Sequence, residues 1–281
     1  MNFVIISHVI HKMDVEAISA YEPYVREMNL WLKHVDKVTI VAPAKTVAPN
    51  AIEIPYEHQN IDFKSIPNIQ FTSLKHSLKS AISVPKIIVQ IFKACKTADH
   101  IHLRCPGNIG LLGCIAQILF PKKIKTAKYA GNWAPKAKQP LSYKFQKWIL
   151  SNTFLTKNMT VLVYGAWEHQ SKNIKSFFTA SFKDSDRASV KKRNYNGELQ
   201  FVFIGSLVAG KRPDLAIKIV ESLIQKGFKI HLKIYGDGVL RTQLEDDIKT
   251  NNLSTYVSIE GNKPIETIKE VLKEAHFLIL P

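Results

Sequence analysis

The stretch Phe201-Val-Phe-Ile-Gly205-Ser206-Leu-Val-Ala-Gly-Lys211-Arg212-Pro213-Asp214 decides the fold. Its first residues have the apolar pattern of a buried β-strand, which ends in a turn at Gly205. A helix follows and begins at Pro213, since proline is tolerated at the first helical position. Two more strand-turn-helix units follow, with turns at 236–238 and 261–262, and then the apolar run Phe277-Leu-Ile-Leu-Pro281. Strands that alternate with helices in this way predict an α/β fold with a mainly parallel sheet.

The first half of the chain repeats the alternation. We predict strands at 2–7, 37–42, about 68–72, 100–104, 124–130 and 159–164. Helices are predicted over 14–34, from Ser83-Val-Pro85 through Ala94, and over 106–120 and 141–152. Residues 183–197 are polar and aperiodic, so they are predicted to be a linker between a first domain, 1–182, and a second, 198–281.

The net charge of +16 lies entirely in the first 197 residues, which hold 28 Lys and Arg against 12 Asp and Glu. The remaining residues hold 11 of each, and no acidic residue occurs between Asp99 and Glu168. The first domain is therefore the one expected to meet an anionic partner.

Cysteine content and apolar runs indicate where the protein resides. Three cysteines without a CxxC pair favour a reducing compartment. The start, Met1 to Ser7, lacks a basic segment and is interpreted as a strand, with no signal peptide. The longest apolar stretch, Ile109 to Phe120, is shorter than the roughly 18 to 20 residues that span a bilayer. We expect a cytoplasmic protein.

A basic helix start follows the turn at Gly205. Lys211 and Arg212 stand beside helix N–H groups, which favour anions, and a diphosphate is the ligand that this arrangement suits. The alternative is an ordinary solvated helix start.

The turn Gly236-Asp237-Gly238 lacks the third glycine of a dinucleotide fingerprint, so NAD is disfavoured.

The order of these segments resembles the second domain of the group 1 glycosyltransferases of the GT-B fold. The resemblance rests on Phe-Ile-Gly-Ser-Leu-x-x-Gly-Lys-Arg-Pro-Asp, Ile-Tyr-Gly-Asp-Gly-x-x-Arg-x-x-Leu-Glu, Val-Ser-Ile-Glu-Gly and Ala-His-Phe-Leu-Ile-Leu-Pro. The resemblance is close over about the last 80 residues. Over the first 180 residues it is limited to the order of strands and helices. It implies two Rossmann-like domains, a retaining transfer and no obligatory metal or other cofactor.

The resemblance also assigns residues. The family lysine that matches Lys211 helps bind the donor diphosphate, so Lys211 would bind that group and act in catalysis. Arg212 is a second candidate for this role, as a substitute for the arginine that the family places after the glycine matching Gly205. The nucleotide would be bordered by Gly205, Ser206, Gly236, Asp237, Gly238, Gly261 and Asn262. Ser206 departs from the family pattern, which places an arginine there. The family's two-glutamate motif is also missing, so the second domain is expected to be incomplete and the 281 residues inactive on their own.

The first domain offers candidates at predicted strand ends. Arg104 takes the place of a histidine that touches the donor sugar in similar enzymes, and His8 follows the first strand on the acceptor side. His100 and His102 share one strand face, with ordinary packing favoured over metal binding. Asn132 and Trp133 suit a sugar, because an indole stacks on the ring and an amide bonds its hydroxyls; a structural turn is the alternative.

The basic stretch 122–147 interleaves lysines with Phe145 and, just beyond it, Trp148. Cations beside aromatics at helical spacing suit an anionic membrane surface, although a packed helix with solvated lysines is the alternative. No nucleic-acid recognition motif accompanies the charge, so nucleic acid is not expected as a partner.

The resemblance, together with the basic stretch, implies a glycosyltransferase that moves a sugar from a nucleotide-sugar donor to a glycan or lipid-linked acceptor in cell-surface polysaccharide synthesis. The protein would work in the cytoplasm, at the inner face of the plasma membrane. The alternative is a non-catalytic binding or scaffold domain of GT-B ancestry that lacks the donor glutamates.

Overall fold

The computed structural model describes residues 1–14, 17–69, 74–178, 184–187, 189 and 192–281, with the backbone alone for 74–81. The chain divides into two compact units. Unit 1 comprises Met1–Pro49 and Glu53–Lys183, and unit 2 comprises Asn50–Ile52 and Asp184–Pro281. Residues 183, 188, 190 and 191 of the predicted linker lie outside the described residues.

Unit 1 contains eleven strands and four α-helices in its described residues. The strands are β1 (Asn2–Ile6), β2 (His11–Met13), β3 (Ile18–Tyr21), β4 (Lys37–Ala42), β5 (Ala44–Lys45), β6 (Glu53–Pro55), β7 (Ile61–Ser65), β8 (His100–Cys105), β9 (Ile124–Tyr129), β10 (Met159–Val163) and β11 (Ile174–Ser176). The helices are α1 (Glu22–Leu32), α2 (Leu74–Thr97), α3 (Asn108–Ala116) and α4 (Leu141–Ser151).

Seven of these strands form one parallel sheet in the order β11-β10-β9-β8-β1-β4-β7. The side chains of β1 point alternately to the two faces of this sheet, and they show which helices cover each face. Phe3 and Ile5 pack with Tyr24, Val25 and Met28 of α1 on one face, whereas Val4 and Ile6 pack with residues of α2 and α3 on the other. Both faces are buried, which explains the nearly continuous apolar strands.

Two predicted helices have different bounds in the structure. In place of a helix over 14–34, β2 and β3 form an antiparallel pair, with β5 beside β2 and β6 beside β3, and α1 begins only at Glu22. Ile18 and Tyr21 have helical spacing, but Pro23 in the first turn of α1 fixes the later start. Val15 lies outside the described residues. The helix predicted to open at Ser83 is already helical from Leu74, so Pro85 lies inside α2.

The strand predicted at about 68–72 falls mostly outside the described residues, and residues 68 and 69 are not in a strand. The strand that pairs with β4 is β7, Ile61–Ser65, and residues 70–72 lie outside the described residues. The other predicted strands and the helices over 106–120 and 141–152 are confirmed within a few residues, apart from a 3-10 turn at Gln117–Leu119.

Unit 2 is a smaller parallel sheet with its helices. Its elements in chain order are β12 (Leu199–Ile204), α5 (Pro213–Gln225), β13 (Ile230–Tyr235), α6 (Arg241–Thr250), β14 (Val257–Gly261), α7 (Ile265–Glu274) and β15 (Phe277–Leu278). The strand order is β14-β13-β12-β15. Phe201 and Phe203 pack with one cluster of apolar side chains and Val202 with another, so this sheet is also covered on both faces.

Candidate functional site

Three glycine turns meet at the carboxyl edge of the unit 2 sheet. The backbone N–H of Gly205 donates to the Tyr235 carbonyl at 2.9 Å, and that of Leu207 donates to the Asp237 carbonyl at 2.9 Å. The N–H of Gly236 donates to the Gly261 carbonyl, also at 2.9 Å. The main chain therefore joins the ends of β12, β13 and β14 at the edge where parallel sheets of this kind bind ligands.

Close backbone contact explains two of the glycines. A Cβ atom on Gly236 would lie 1.9 Å from the Gly205 carbonyl oxygen, and one on Gly238 would lie 2.5 Å from that of Leu207. Gly236 also has a φ of 150°, which other residues rarely adopt. The turns can approach one another only because these positions carry no side chain.

The start of α5 follows the Gly205 turn by a few residues in the sequence. Lys211 is exposed at the end of a 3-10 turn, Ala209–Lys211. Arg212 follows with a φ of 51°, and Pro213 occupies the first turn of the helix. The Arg212 guanidinium binds the Asp214 carboxylate, with Nε to Oδ1 at 3.1 Å and Nη2 to Oδ2 at 3.0 Å, and lowers the pKa of Asp214. Lys211 is thus the more available of the two predicted cations.

Arg241, at the first position of α6, was not predicted as a site residue. Its Nη1 lies 3.3 Å from the Asp237 carboxylate, and its Nε donates to Glu245 at 2.8 Å. The same Nη1 lies 3.3 Å from where a Cβ of Gly261 would stand. In the sequence Gly-Asp-Gly-x-x-Arg, Arg241 lies four residues after Asp237. This spacing is the sequence feature from which a contact between the two side chains could have been predicted.

The remaining predicted positions of unit 2 lie on the same edge. Ser206 is exposed between Gly205 and Leu207, and Asn262 is half-buried after β14. Their part in nucleotide binding stays a prediction.

At the carboxyl edge of unit 1, Arg104 and Lys128 are paired neighbours on β8 and β9. Both face Glu27 of α1: Arg104 Nη1 lies 3.5 Å from Oε2, and Lys128 Nζ lies 3.6 Å from Oε1. Exposure of these side chains is 12% for Arg104, 0% for Lys128 and 4% for Glu27. Arg104 lies over the Tyr24 ring, with its guanidinium carbon 5.1 Å from the centroid.

His8 lies directly after β1, where it was predicted. Its ring packs under Gly107, since a Cβ there would come within 2.9 Å of His8 Cγ. Its Nδ1 is buried and has no hydrogen-bond partner among the described residues. Burial lowers the pKa of His8, and the nearby charge of Arg104 lowers it further. The ring is therefore a neutral group beside the arginine at neutral pH.

Asn132 and Trp133 form part of a folded turn. The exposed Asn132 accepts a hydrogen bond through Oδ1 from the Ala134 N–H at 2.8 Å. Trp133 is only 2% exposed; it packs edge-on against Tyr129, and its Nε1 donates to Gln170 at 2.8 Å. This burial favours the alternative of a structural turn for Trp133, since an indole in the core offers no open face to a sugar.

The two strand histidines pack as expected. His100 Nε2 and His102 Nδ1 both contact Thr126 Oγ1, at 2.9 and 2.8 Å. Burial lowers the pKa of His102 to about 3. In the described part of the chain, no three His, Cys, Asp or Glu side chains lie together in a way that could hold a metal ion.

The basic stretch divides between core and surface. Lys125 and Lys128 are buried, and Lys147 donates to the carbonyls of Trp133 and Ala134. These lysines therefore do not add to a surface patch. On α4, however, Leu141, Phe145 and Trp148 are exposed. None of the helices in the described ranges combines the length and the apolar character needed to cross a bilayer.

A family model described as "Glycosyl transferases group 1" matches residues 184–281. No curated protein sequence matches this chain significantly. Solved structures with a similar fold include a sucrose-phosphate synthase from Thermosynechococcus elongatus, with a TM-score of 0.64 and 13% identity over 100% of this chain and 75% of that one. HepE of Anabaena, solved in complex with UDP and glucose, has a TM-score of 0.60 and 11% identity over 99% and 73%.

A third is WaaG, a glycosyltransferase involved in lipopolysaccharide biosynthesis, with a TM-score of 0.59 and 12% identity over 100% of this chain and 75% of that chain. At such low identity these likenesses establish the fold, which is an α/β fold of the GT-B type as predicted. The family match coincides with the unit that carries the three joined glycine turns. Unit 2 of this chain is therefore a group 1 glycosyltransferase domain.

Proposed function

We propose that this chain takes part in the transfer of a sugar from a nucleotide-sugar donor, and that the donor binds at the carboxyl edge of the unit 2 sheet. The observation that carries the proposal is the joining of the Gly205, Gly236 and Gly261 turns by backbone hydrogen bonds beside the start of α5. The carboxyl edge is where open parallel sheets bind nucleotides, and the exposed Lys211 follows the first of these turns.

Lys211 supplies the chemistry at this edge. In a glycosyl transfer, negative charge grows on the departing diphosphate as the bond to the sugar breaks. An exposed ammonium group next to a helix N-terminus stabilises that charge more in the transition state than in the ground state. Arg212 contributes after exchanging Asp214 for a phosphate oxygen. We propose a retaining hexosyl transfer that needs no metal.

The acceptor in this proposal is a glycan or a lipid-linked sugar used in cell-surface polysaccharide synthesis. Two observations support it: the fold is shared with WaaG, named for lipopolysaccharide biosynthesis, and with HepE, solved with UDP and glucose. Acceptor binding falls to unit 1, where the net positive charge lies. The setting would be the cytoplasmic face of the membrane.

The exposed side of α4 supports contact with that membrane. Leu141, Phe145 and Trp148 recur at a spacing that places them on one helix face, and Lys144 is exposed beside them. Apolar and aromatic side chains flanked by cations suit an anionic bilayer surface.

Titration with nucleoside diphosphates tests the donor site. UDP, GDP and ADP would each be titrated calorimetrically into the full chain, into Lys211→Ala and into Lys226→Ala, which removes an exposed lysine at the opposite end of α5. We expect one diphosphate to bind and the Lys211 change to weaken it about tenfold or more, the usual effect of losing a charged contact. If Lys211→Ala binds the diphosphate as tightly as the parent chain does, or if the parent chain binds none of the three, the non-catalytic alternative is favoured.

A further inference from the structure

Trp167 presents an exposed indole at the carboxyl edge of the unit 1 sheet. It lies in the turn 164–170, which follows β10, and it is 38% exposed. Its Nε1 donates to the Tyr164 carbonyl at 2.9 Å, so the polar group of the side chain is already bonded. What the side chain offers to a ligand is therefore the apolar surface of its ring, at the edge where open parallel sheets bind ligands.

The orientation of the Trp167 indole is fixed by its surroundings. Gly165 has a φ of 83°, and a Cβ atom there would lie 3.1 Å from the indole Nε1 and 3.2 Å from Cε2. The main chain at this glycine therefore packs against the ring. Ser176, at the end of β11, donates through Oγ to the Gly165 carbonyl at 3.0 Å. A ring that is held in place before a ligand arrives loses little conformational entropy on binding.

The buried Trp133 helps to position the turn that carries Trp167. Its Nε1 donates to Gln170 Oε1 at 2.8 Å, and this bond joins the turn after β9 to the turn after β10. Of the two tryptophans at this edge, Trp133 is the one that the sequence favoured for stacking on a sugar, but only Trp167 is exposed. The surface available for stacking thus lies one strand further along the sheet.

Polar side chains accompany the exposed indole. Glu168 and His169 follow it in the same turn, and Asn132 lies on the adjoining turn; all three are exposed. A pyranose ring has C–H groups on its faces, which pack on an aromatic ring, and hydroxyl groups around its rim, which bond to carboxylates, amides and imidazoles. An indole beside such groups has the chemistry that a pyranose ring requires.

The other exposed tryptophan, Trp148 on α4, has different surroundings. The ring of Phe145 stacks with it, at a centroid distance of 5.7 Å. No other aromatic ring stacks on Trp167 within the described ranges, and no acidic residue lies within α4. The two exposed indoles therefore suit different ligands, a bilayer surface for Trp148 and a polar ring for Trp167.

We propose that Trp167 is a stacking surface for a pyranose ring of the acceptor glycan, and that Glu168, His169 and Asn132 bond to the hydroxyl groups of that sugar. The assignment of the sugar to an acceptor rests on the proposed function. The binding of a sugar ring does not, because the groups involved belong to unit 1, whereas the donor site belongs to unit 2.

Fluorine NMR of the full chain labelled with fluorotryptophan tests the proposal. The four tryptophans give four signals, and Trp167→Phe and Trp148→Phe identify two of them by their loss. The probes are the methyl β-glycosides of glucose, galactose and N-acetylglucosamine, each added up to its solubility limit. We expect at least one glycoside to shift the Trp167 signal and to leave the Trp148 signal in place.

Two further probes separate a sugar ring from other ligands. Mannitol carries the same hydroxyl groups without a ring face, and uridine carries a base that could stack on an indole. Neither should shift the Trp167 signal as far as the best glycoside does at equal concentration. A larger shift with mannitol or uridine, or a glycoside that shifts Trp148 instead, would overturn the proposal.

Substitutions measure the contribution of the indole, with binding followed through saturation transfer to the glycoside protons. Trp167→Ala should weaken the best glycoside about tenfold, because the stacking surface is lost, and Trp167→Phe should retain part of the affinity. Gly165→Ala should also weaken binding, since the new methyl group displaces the indole. Phe228→Ala, which removes an exposed aromatic ring of unit 2, is the control and should have no effect.

The proposal is wrong if no glycoside shifts the Trp167 signal, or if Trp167→Ala binds the glycosides as tightly as the parent chain does. A loss of binding in Trp167→Ala that Trp167→Phe does not restore in part would point to a structural role and would also overturn it. Failure of diphosphate binding at Lys211 with sugar binding intact would instead overturn only the donor assignment.

Discussion

The Lys128 ammonium lies 3.7 Å from the centroid of the Phe177 ring, on a side chain with no solvent exposure. The ring and Glu27 stabilise the charge only in part, since burial lowers the pKa of Lys128 to about 8. Because the unfolded chain has the ordinary value of 10.5, it binds more protons than the folded chain between pH 8 and 10.5. This group therefore makes the protein more stable as pH rises through that window.

Lys128→Met should remove that dependence. We expect the free energy of unfolding of the parent protein, minus that of the variant, to rise by about 3 kcal/mol between pH 7.5 and 10.5. Urea unfolding at several pH values measures it. Subtracting the two curves cancels the contributions of Lys125 and the buried tyrosines. A flat difference would show that Lys128 ionises as it does in water.

His102 should weaken the protein in acid. Burial lowers its pKa from 6.5 to about 3. Between these two pH values the imidazole is protonated in the unfolded chain and neutral in the folded chain. Stability present above pH 6.5 is lost as pH falls toward 3. Relative to His102→Gln, the parent protein should lose about 3 kcal/mol between pH 6.5 and 4. Thermal unfolding in matched buffers would check this, and parallel curves would contradict it.

Gly236→Ala should damage unit 2. The new Cβ would lie 1.9 Å from the Gly205 carbonyl oxygen, so the turns must separate, and we expect a loss of about 3 kcal/mol in unfolding free energy. Gly210→Ala is the matched control, because nothing lies within 4 Å of its Cβ position. That change should stay within about 0.5 kcal/mol. Equal effects of the two substitutions would show that the turns are not in contact.

Exposed aromatics on α4 should govern binding to membranes. The Phe145 and Trp148 rings are stacked, with centroids 5.7 Å apart and planes inclined by 12°. Replacing both with serine should abolish flotation with phosphatidylglycerol vesicles at low salt, and high salt should weaken flotation of the parent. Phe228→Ser, a change of an exposed phenylalanine in unit 2, is the control. No flotation of the parent protein at low salt would remove the membrane from the proposal.

The unit 2 turns could be predicted from the sequence because their cause is local. The strands β12, β13 and β14 each end at or directly before a glycine. Parallel strands bring their carboxyl ends to one edge of the sheet, so Gly205, Gly236 and Gly261 are expected to lie at the same edge. The cluster around Arg104 could not be predicted, since Glu27 lies far away in the chain on a helix whose start was misplaced. Helical spacing from Ile18 to Trp31 concealed the β2–β3 pair, which tertiary pairing stabilises.

The hydrogen bonds among the turns of unit 2 have a consequence for how this edge can change. The N–H groups of Gly205, Leu207 and Gly236 are already used by neighbouring carbonyls, so the frame is set by the backbone and does not depend on the side chains it displays. Ser206 and Asn262 are then free to vary without loss of the frame. Substitutions at these two positions would change the chemical groups that the edge displays without changing the main chain that carries them.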